Sequence, residues 1–305
     1  MDHPQRHLLP FLAALAGVGF LSLMDVLMKS SALVAGVYTA SLLRSLLAAA
    51  MVAPIWLASG FRWPRGTLLR LHVERGVLSA FMALSWFFAL TRLPVAEAIA
   101  ISFVAPLIAL YLARVLLGET ITRQAILASL LGFAGTLVIV GGRIGSADFT
   151  ADTALGLASL FFSALLYAYN FILMRKQAQL AGPLEIATFH GGVAGLVQAL
   201  AIPWLFVMPA GGMLGSTVGG IAVSAMLTAA GAMALAWAYR RAEAQVLVPV
   251  EYSGFLWTSA FAWMLLRETV TVTTIAGVVL IVAGCWIAVP RRRRALAPLA
   301  RPEAP

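Results

Sequence analysis

Charge is scarce in this chain. Only 11% of its 305 residues are Asp, Glu, Lys or Arg and 62% are hydrophobic, whereas a water-soluble chain carries about 25% charged and about 45–50% apolar residues. With a mean hydropathy of +0.95 it has too little polar surface to enclose a core in water, so a soluble domain is excluded and the bilayer is the solvent. Cysteine is scarcer still. The single Cys285 excludes an intrachain disulfide and a cysteine-built metal site. His3, His7, His72 and His190 lack metal-ligand spacing, and neither a metal nor a cofactor is expected. An HExxH segment, paired catalytic carboxylates and a nucleophile–base constellation are also missing, which argues against a membrane enzyme.

What the chain has in abundance is apolar runs of roughly 20 residues, each able to cross about 30 Å of hydrocarbon as a helix. They fall near 8–28, 36–58, 74–92, 94–114, 124–142, 154–174, 184–206, 217–238, 244–265 and 271–289. Hydrocarbon tolerates no exposed strand edge, so the fold class is all-α integral membrane with ten transmembrane helices. Arg6 and His7 ahead of the first run mimic a signal peptide, yet similar runs recur to the end of the chain and no cleavage is expected. Runs three and four are parted only by Thr91-Arg92-Leu93-Pro94. Pro94 suits a first helical turn, where its absent amide hydrogen is not needed, and a break is placed there. Gly182-Pro183 parts helices six and seven, and Pro209-Ala210-Gly211-Gly212 parts seven and eight.

Charge then orients the crossings. With the N-terminus inside, the cytoplasmic side receives Arg6, Arg62, Arg65, Arg70, Arg75, Arg114, Arg123, Arg175, Lys176, Arg240, Arg241 and the Arg291–Arg294 tail. The exterior receives Lys29, Arg92, Arg143 and Arg267. This bias follows the positive-inside rule and places both termini in the cytoplasm. It also accounts for the net charge of +9 without a nucleic-acid groove. The basic tail suits an anionic inner leaflet of membrane lipid. Oligomeric state is not readable.

The chain also repeats itself. Met82-Ala83-Leu84-Ser85-Trp86 is matched by Met233-Ala234-Leu235-Ala236-Trp237, Phe103 by Tyr252, Glu119-Thr120-Ile121 by Glu268-Thr269-Val270, Ala128 by Gly277, and Gly135 by Gly284. Five helices per copy force the second to enter from the opposite side, giving two inverted five-helix repeats. The division expected is residues 1–142, a short exterior linker at 143–153, residues 154–289, and a basic cytoplasmic tail at 290–305.

Five stretches carry a resemblance. Phe103-Val104-Ala105-Pro106-Leu107, then Leu117-Gly118-Glu119-Thr120-Ile121 and Gly132-Phe133-Ala134-Gly135, are followed later by Leu266-Arg267-Glu268-Thr269-Val270 and the run from Gly277 to Gly284. From Leu8 to about Val289 the chain resembles the drug/metabolite transporter superfamily, in its ten-helix EamA-type branch. The resemblance implies a secondary transporter in a bacterial inner membrane, with a cavity lined mainly by helices one, three, four, six, eight and nine. It is similar to exporters of amino acids, including aromatic ones. Multidrug or aromatic-cation efflux and uptake of an amino-acid-derived metabolite stay open. The second copy departs from the pattern at Phe255, opposite Pro106, and at Arg267, opposite Gly118.

Candidate site residues come from the polar and aromatic groups on those helices. Trp86, Phe103, Tyr167, Asn170, Trp237, Tyr252 and Trp257 could contact a zwitterionic or neutral organic cargo, or could serve helix packing and an interfacial belt. Asp25 and Arg44 interrupt helices one and two, roughly 5–15 Å from the outer boundary. A local Asp25–Arg44 interaction, an Asp25–Lys29 pair, and a carboxylate that binds a substrate ammonium or proton are the readings. Glu251 is the leading ionisable cavity candidate, for a coupling proton or an amine contact, against a purely structural buried role. Pro106 and Pro249 are helix-break candidates, serving a passage or ordinary curvature. Glu119 and Glu268 read as helix caps or anchors, and His190 as a packed or water-satisfied polar residue or a protonation site.

Overall fold

The computed structural model describes residues 5–60, 62–105, 108, 111–112, 115, 123–145, 149–208, 214–239, 250 and 253–288. All of the regular structure among them is helical: α1 (Gln5–Ala35), α2 (Val37–Ala58), α3 (Thr67–Leu90), α4 (Val95–Ser102), α5 (Arg123–Ile144), α6 (Ala151–Ala178), α7 (Pro183–Ala199), α8 (Leu214–Tyr239), α9 (Ser253–Leu266) and α10 (Val272–Ala288), with a single turn at Ile202–Leu205. Among the described residues, five stretches are long and apolar enough to cross a membrane: Leu9–Ala35, Val37–Ala58, Thr67–Leu90, Ala151–Met174 and Gly215–Leu235. Leu130–Ile144, Ser253–Leu266 and Val272–Gly284 are shorter apolar helices.

The breaks have local causes. Gly36 alone separates α1 from α2 and sits at φ 81, a left-handed conformation that a side chain would disfavour. Pro94 is the N-cap of α4, so the expected break between helices three and four is present. Helix four is expected to run 94–114; its first regular segment ends at Ser102, and beyond a turn the described residues Ala105, Ile108, Tyr111, Leu112 and Val115 are again helical. At the turn Phe103 N–H and Val104 N–H reach back only three residues, to Ala100 and Ile101, a tightened last turn. Thr150 caps α6 by accepting from Thr153 N–H at 3.2 Å, and Pro183 opens α7 after Gly182. Helix three begins at Thr67, seven residues before its apolar run, and so carries His72 and Arg75 into the helical body.

Helix pairing follows an exchange pattern. The packing of α1 against α8 is matched by α3 against α6, that of α1 against α9 by α4 against α6, and that of α2 against α8 by α3 against α7. The pairs α2–α7, α4–α9 and α5–α10 map onto themselves when helices one to five are exchanged with six to ten, while the slighter packing of α2 and α1 on α3 is not matched to the same extent in the second half among the described residues. In hydrocarbon such contacts depend on close backbone approach rather than on the hydrophobic effect. At the α5–α10 seam a Cβ on Gly135 would lie 2.5 Å from the Gly277 carbonyl oxygen, and one on Gly277 would lie 2.6 Å from that of Gly135. The main core gathers where α3 turns into α4, around Leu90, Leu93, Val95, Ala98 and Ile101. Large apolar side chains face outward instead, as a lipid solvent allows: Trp204 is 80% exposed and Trp286 69%.

Candidate functional site

One stripe of α3 carries His72, Arg75, Ser79 and Trp86. Their spacing of three, four and seven keeps them on one face. The face looks onto α6 and α7 over its first half and onto α1 near its end. At that end the Trp86 indole N–H donates to Asp25 Oδ1 at 2.9 Å. Asp25 lies ten residues before the end of α1, about 15 Å inside it at 1.5 Å per residue.

Arg44 on α2 lies beside this pair. Its guanidinium covers the Phe87 ring at 5.2 Å from the centroid, and its buried Nε has no hydrogen-bond partner. It acts on Asp25 through charge yet forms no salt bridge with it among the described residues. The Asp25–Arg44 interaction is thus one of charge without a salt bridge, while Asp25 bonds to Trp86 and Lys29, four residues further along α1, bonds elsewhere rather than to Asp25. Lys29 Nζ donates to the Leu93 carbonyl at 2.7 Å and pairs with Glu268. The second oxygen of Glu268 accepts from Val95 N–H at 2.7 Å. Glu268 is thus a cap, but of α4 rather than of the helix it precedes. Close by, Glu97 is 3% exposed and faces Arg143 Nε at 3.8 Å. This charged knot ties α1, the α3–α4 corner, α5 and the α9–α10 connection together.

At the other end of the stripe a second polar cluster fills the space between α3, α6 and α7. Arg75, 8% exposed, donates from Nε to Asn170 Oδ1 at 2.9 Å and from Nη1 to Gln177 Oε1 at 2.6 Å. The His72 ring lies between Gln177 Nε2 and Glu185 Oε1, the latter at 2.9 Å, and stacks on Phe189. Ser79 Oγ and His190 Nδ1 are 3.2 Å apart, which places His190 within electrostatic reach of both Arg75 and Arg44.

The other candidates are dispersed. Trp257 on α9 stacks on Phe261, and a Cβ at Gly19 of α1 would meet its ring at 3.4 Å. Tyr167 is 43% exposed and within electrostatic reach of Arg75. Trp237 is 39% exposed on α8, and Phe103 packs on the core at the end of α4. Pro106, Pro249, Glu251, Tyr252 and Glu119 lie outside the described residues. Reading the sequence missed Arg75, Gln177 and the partners of Lys29. Arg75 reads as a cytoplasmic charge because it stands at the edge of an apolar run.

Apolar helices with charged and amide groups turned inward, and large side chains turned out to lipid, define a multi-span membrane protein. The chain belongs to the EamA-like transporter family, whose model matches residues 8–141 and 154–289. It is therefore a transporter and an integral membrane protein, not an enzyme. The pseudopaline exporter CntI of Pseudomonas aeruginosa (strain UCBPP-PA14) is 27% identical over 284 residues, 93% of this chain and 96% of that relative. The S-adenosylmethionine uptake transporter of Rickettsia prowazekii is 25% identical over 69% of this chain and 68% of its own. The riboflavin transporter of Brucella anthropi is 32% identical over 94 residues, 31% of this chain and 33% of its own. One solved crystal structure matches 92% of this chain and 96% of its own with a TM-score of 0.62 at 20% identity, which shows the fold.

Proposed function

We propose that this secondary transporter exports a small zwitterionic metabolite, an amino acid with an aromatic or large apolar side chain, by alternating access. The observation that carries the reading is the Asp25–Arg44 arrangement. Two opposite charges face one another inside the bundle without joining, and a buried Arg44 nitrogen has no hydrogen-bond partner. An ionised pair in hydrocarbon is costly unless its members are satisfied. The ammonium and carboxylate of a zwitterion would satisfy both, with Trp86 and Phe87 offering ring surface to its side chain. The pseudopaline exporter, matched nearly end to end, favours export.

The framework proposed with it is ten crossings in two inverted repeats, 1–142 and 154–289, joined at 143–153, with both termini and the 290–305 tail cytoplasmic. The exchange pattern of helix pairs supports it. A coupling proton, on Asp25 or on Glu251, belongs to the same proposal.

The test is Asp25→Asn in sealed proteoliposomes. The asparagine oxygen still accepts from Trp86, so helix contacts are kept while the charge is lost. Loss of a charge-assisted contact of about 1.5–3 kcal/mol lowers kcat/KM for phenylalanine by about 10–150-fold. Unchanged phenylalanine transport would sink the assignment of Asp25. Robust movement of an aromatic cation without any amino acid would replace the reading by drug efflux.

A further inference from the structure

Arg75 holds a charge that no carboxylate among the described residues pairs with. It is 8% exposed and stands eight residues into α3, about 12 Å from the helix start. Its partners, Asn170 Oδ1 and Gln177 Oε1, are neutral amide oxygens. The carboxylates on the surrounding helices are engaged elsewhere: Glu74 accepts from Tyr169 at 2.6 Å, and Glu185 faces His72. A guanidinium has five N–H donors, and the two hydrogen bonds use two of them. A buried cation left without an anion is strongly unfavourable, which is why such a group is normally paired. Amides differ from carboxylates here in a specific way: they orient the guanidinium without cancelling its charge. Glu or Asp at 170 or 177 would have made a closed ion pair. Asn and Gln leave a pre-aimed fork suited to bidentate oxyanion recognition.

We propose that Arg75, oriented by Asn170 and Gln177, is a binding station for a carboxylate of the cargo. The station is distinct from Asp25–Arg44: on α3, Arg75 and Trp86 are eleven residues apart, about 16 Å of rise. Ser79 of the same stripe, with His190 of α7 beside it, stands between the two levels. A cargo carboxylate meets Arg75 at one end of the passage and Arg44 nearer the other, so a compound carrying an acid group has a cationic partner at both levels. The station rests on the transport reading but not on the amino-acid assignment, since any small organic acid has the required chemistry.

The experiment is calorimetric titration of the purified full chain in a detergent free of anionic lipid, with phenylalanine, 3-phenylpropionate (no amine), phenethylamine (no carboxylate), succinate and inorganic phosphate. Arg75→Gln is expected to weaken both phenyl carboxylates about tenfold or more while phenethylamine stays within about twofold. Arg75→Lys, which keeps the charge but not the fork, falls between. If Arg75→Gln does not fold, Asn170→Asp substitutes for it, placing a counter-charge of equal size beside the guanidinium with the same expected loss. Carboxylate affinity unchanged in either folded variant, or an equal loss for phenethylamine, overturns the station. Arg75-dependent binding of phosphate but of no carboxylate overturns the carboxylate assignment. Arg75-dependent binding of succinate in a protein that ignores phenylalanine upholds the station and overturns the amino-acid reading.

Discussion

Glu268→Ala should be among the most damaging single substitutions outside the passage. One oxygen of Glu268 pairs with Lys29, and the other accepts from Val95 N–H at 2.7 Å. The two side chains are 18% and 9% exposed, so screening by water is slight. Removing the carboxylate leaves a buried ammonium with only the Leu93 carbonyl, a loss of about 3–5 kcal/mol for one partner of a buried pair. The orphaned Val95 amide adds about 1 kcal/mol. Lys29→Met should cost less, since Glu268 keeps the Val95 amide. Lys29→Met with Glu268→Ala removes both charges and should recover much of the loss, giving a coupling energy of about 2–3 kcal/mol. The assay is a double-mutant cycle of unfolding free energies in micelles. Single losses that add to the double loss within about 0.5 kcal/mol would show the two residues to be independent and refute the knot as a stabilising unit.

Arg267, opposite Gly118 in the repeat, sits at φ 59, where Glu268 N–H turns back to Ala262 O. Arg267→Gly should therefore stabilise the protein by about 0.5–1 kcal/mol, the left-handed penalty relieved less the added chain entropy, read as a raised melting temperature. With Cys285→Ser as background, Gly60→Cys and Pro298→Cys should label from the cytoplasm, and Arg92→Cys and Ser146→Cys from outside. Labelling of Arg92→Cys from the cytoplasmic side would remove a crossing from helix three or four.

What was legible in the sequence is what local chemistry decides. The all-helical membrane architecture follows from run length and backbone saturation, and the breaks at Pro94 and Gly182-Pro183 follow from amide geometry. Trp86, Asp25, Arg44 and Asn170 stood out as polar or aromatic interruptions of apolar runs. Their grouping did not. Asp25 and Lys29 share one face of α1, yet Lys29 is drawn to a carboxylate 239 residues away, and no local pattern announces that partner. Arg75 was hidden differently. It is the second residue of the run 74–92, at its cytoplasmic edge, so it reads as an interfacial charge. The signal was present nonetheless in the three-and-four spacing of His72, Arg75, Ser79 and Trp86 on α3, and in the seven-residue spacing of Asn170 and Gln177 on α6.

The most direct measurement is efflux of labelled phenylalanine from sealed proteoliposomes containing the purified chain, beside phenethylamine and 3-phenylpropionate at equal concentration. The account predicts saturable efflux of chemically unchanged phenylalanine, faster than either single-charge analogue because the zwitterion alone satisfies Asp25 and Arg44 together. Phenylalanine leaving no faster than from protein-free vesicles, while phenethylamine moves readily, would contradict it.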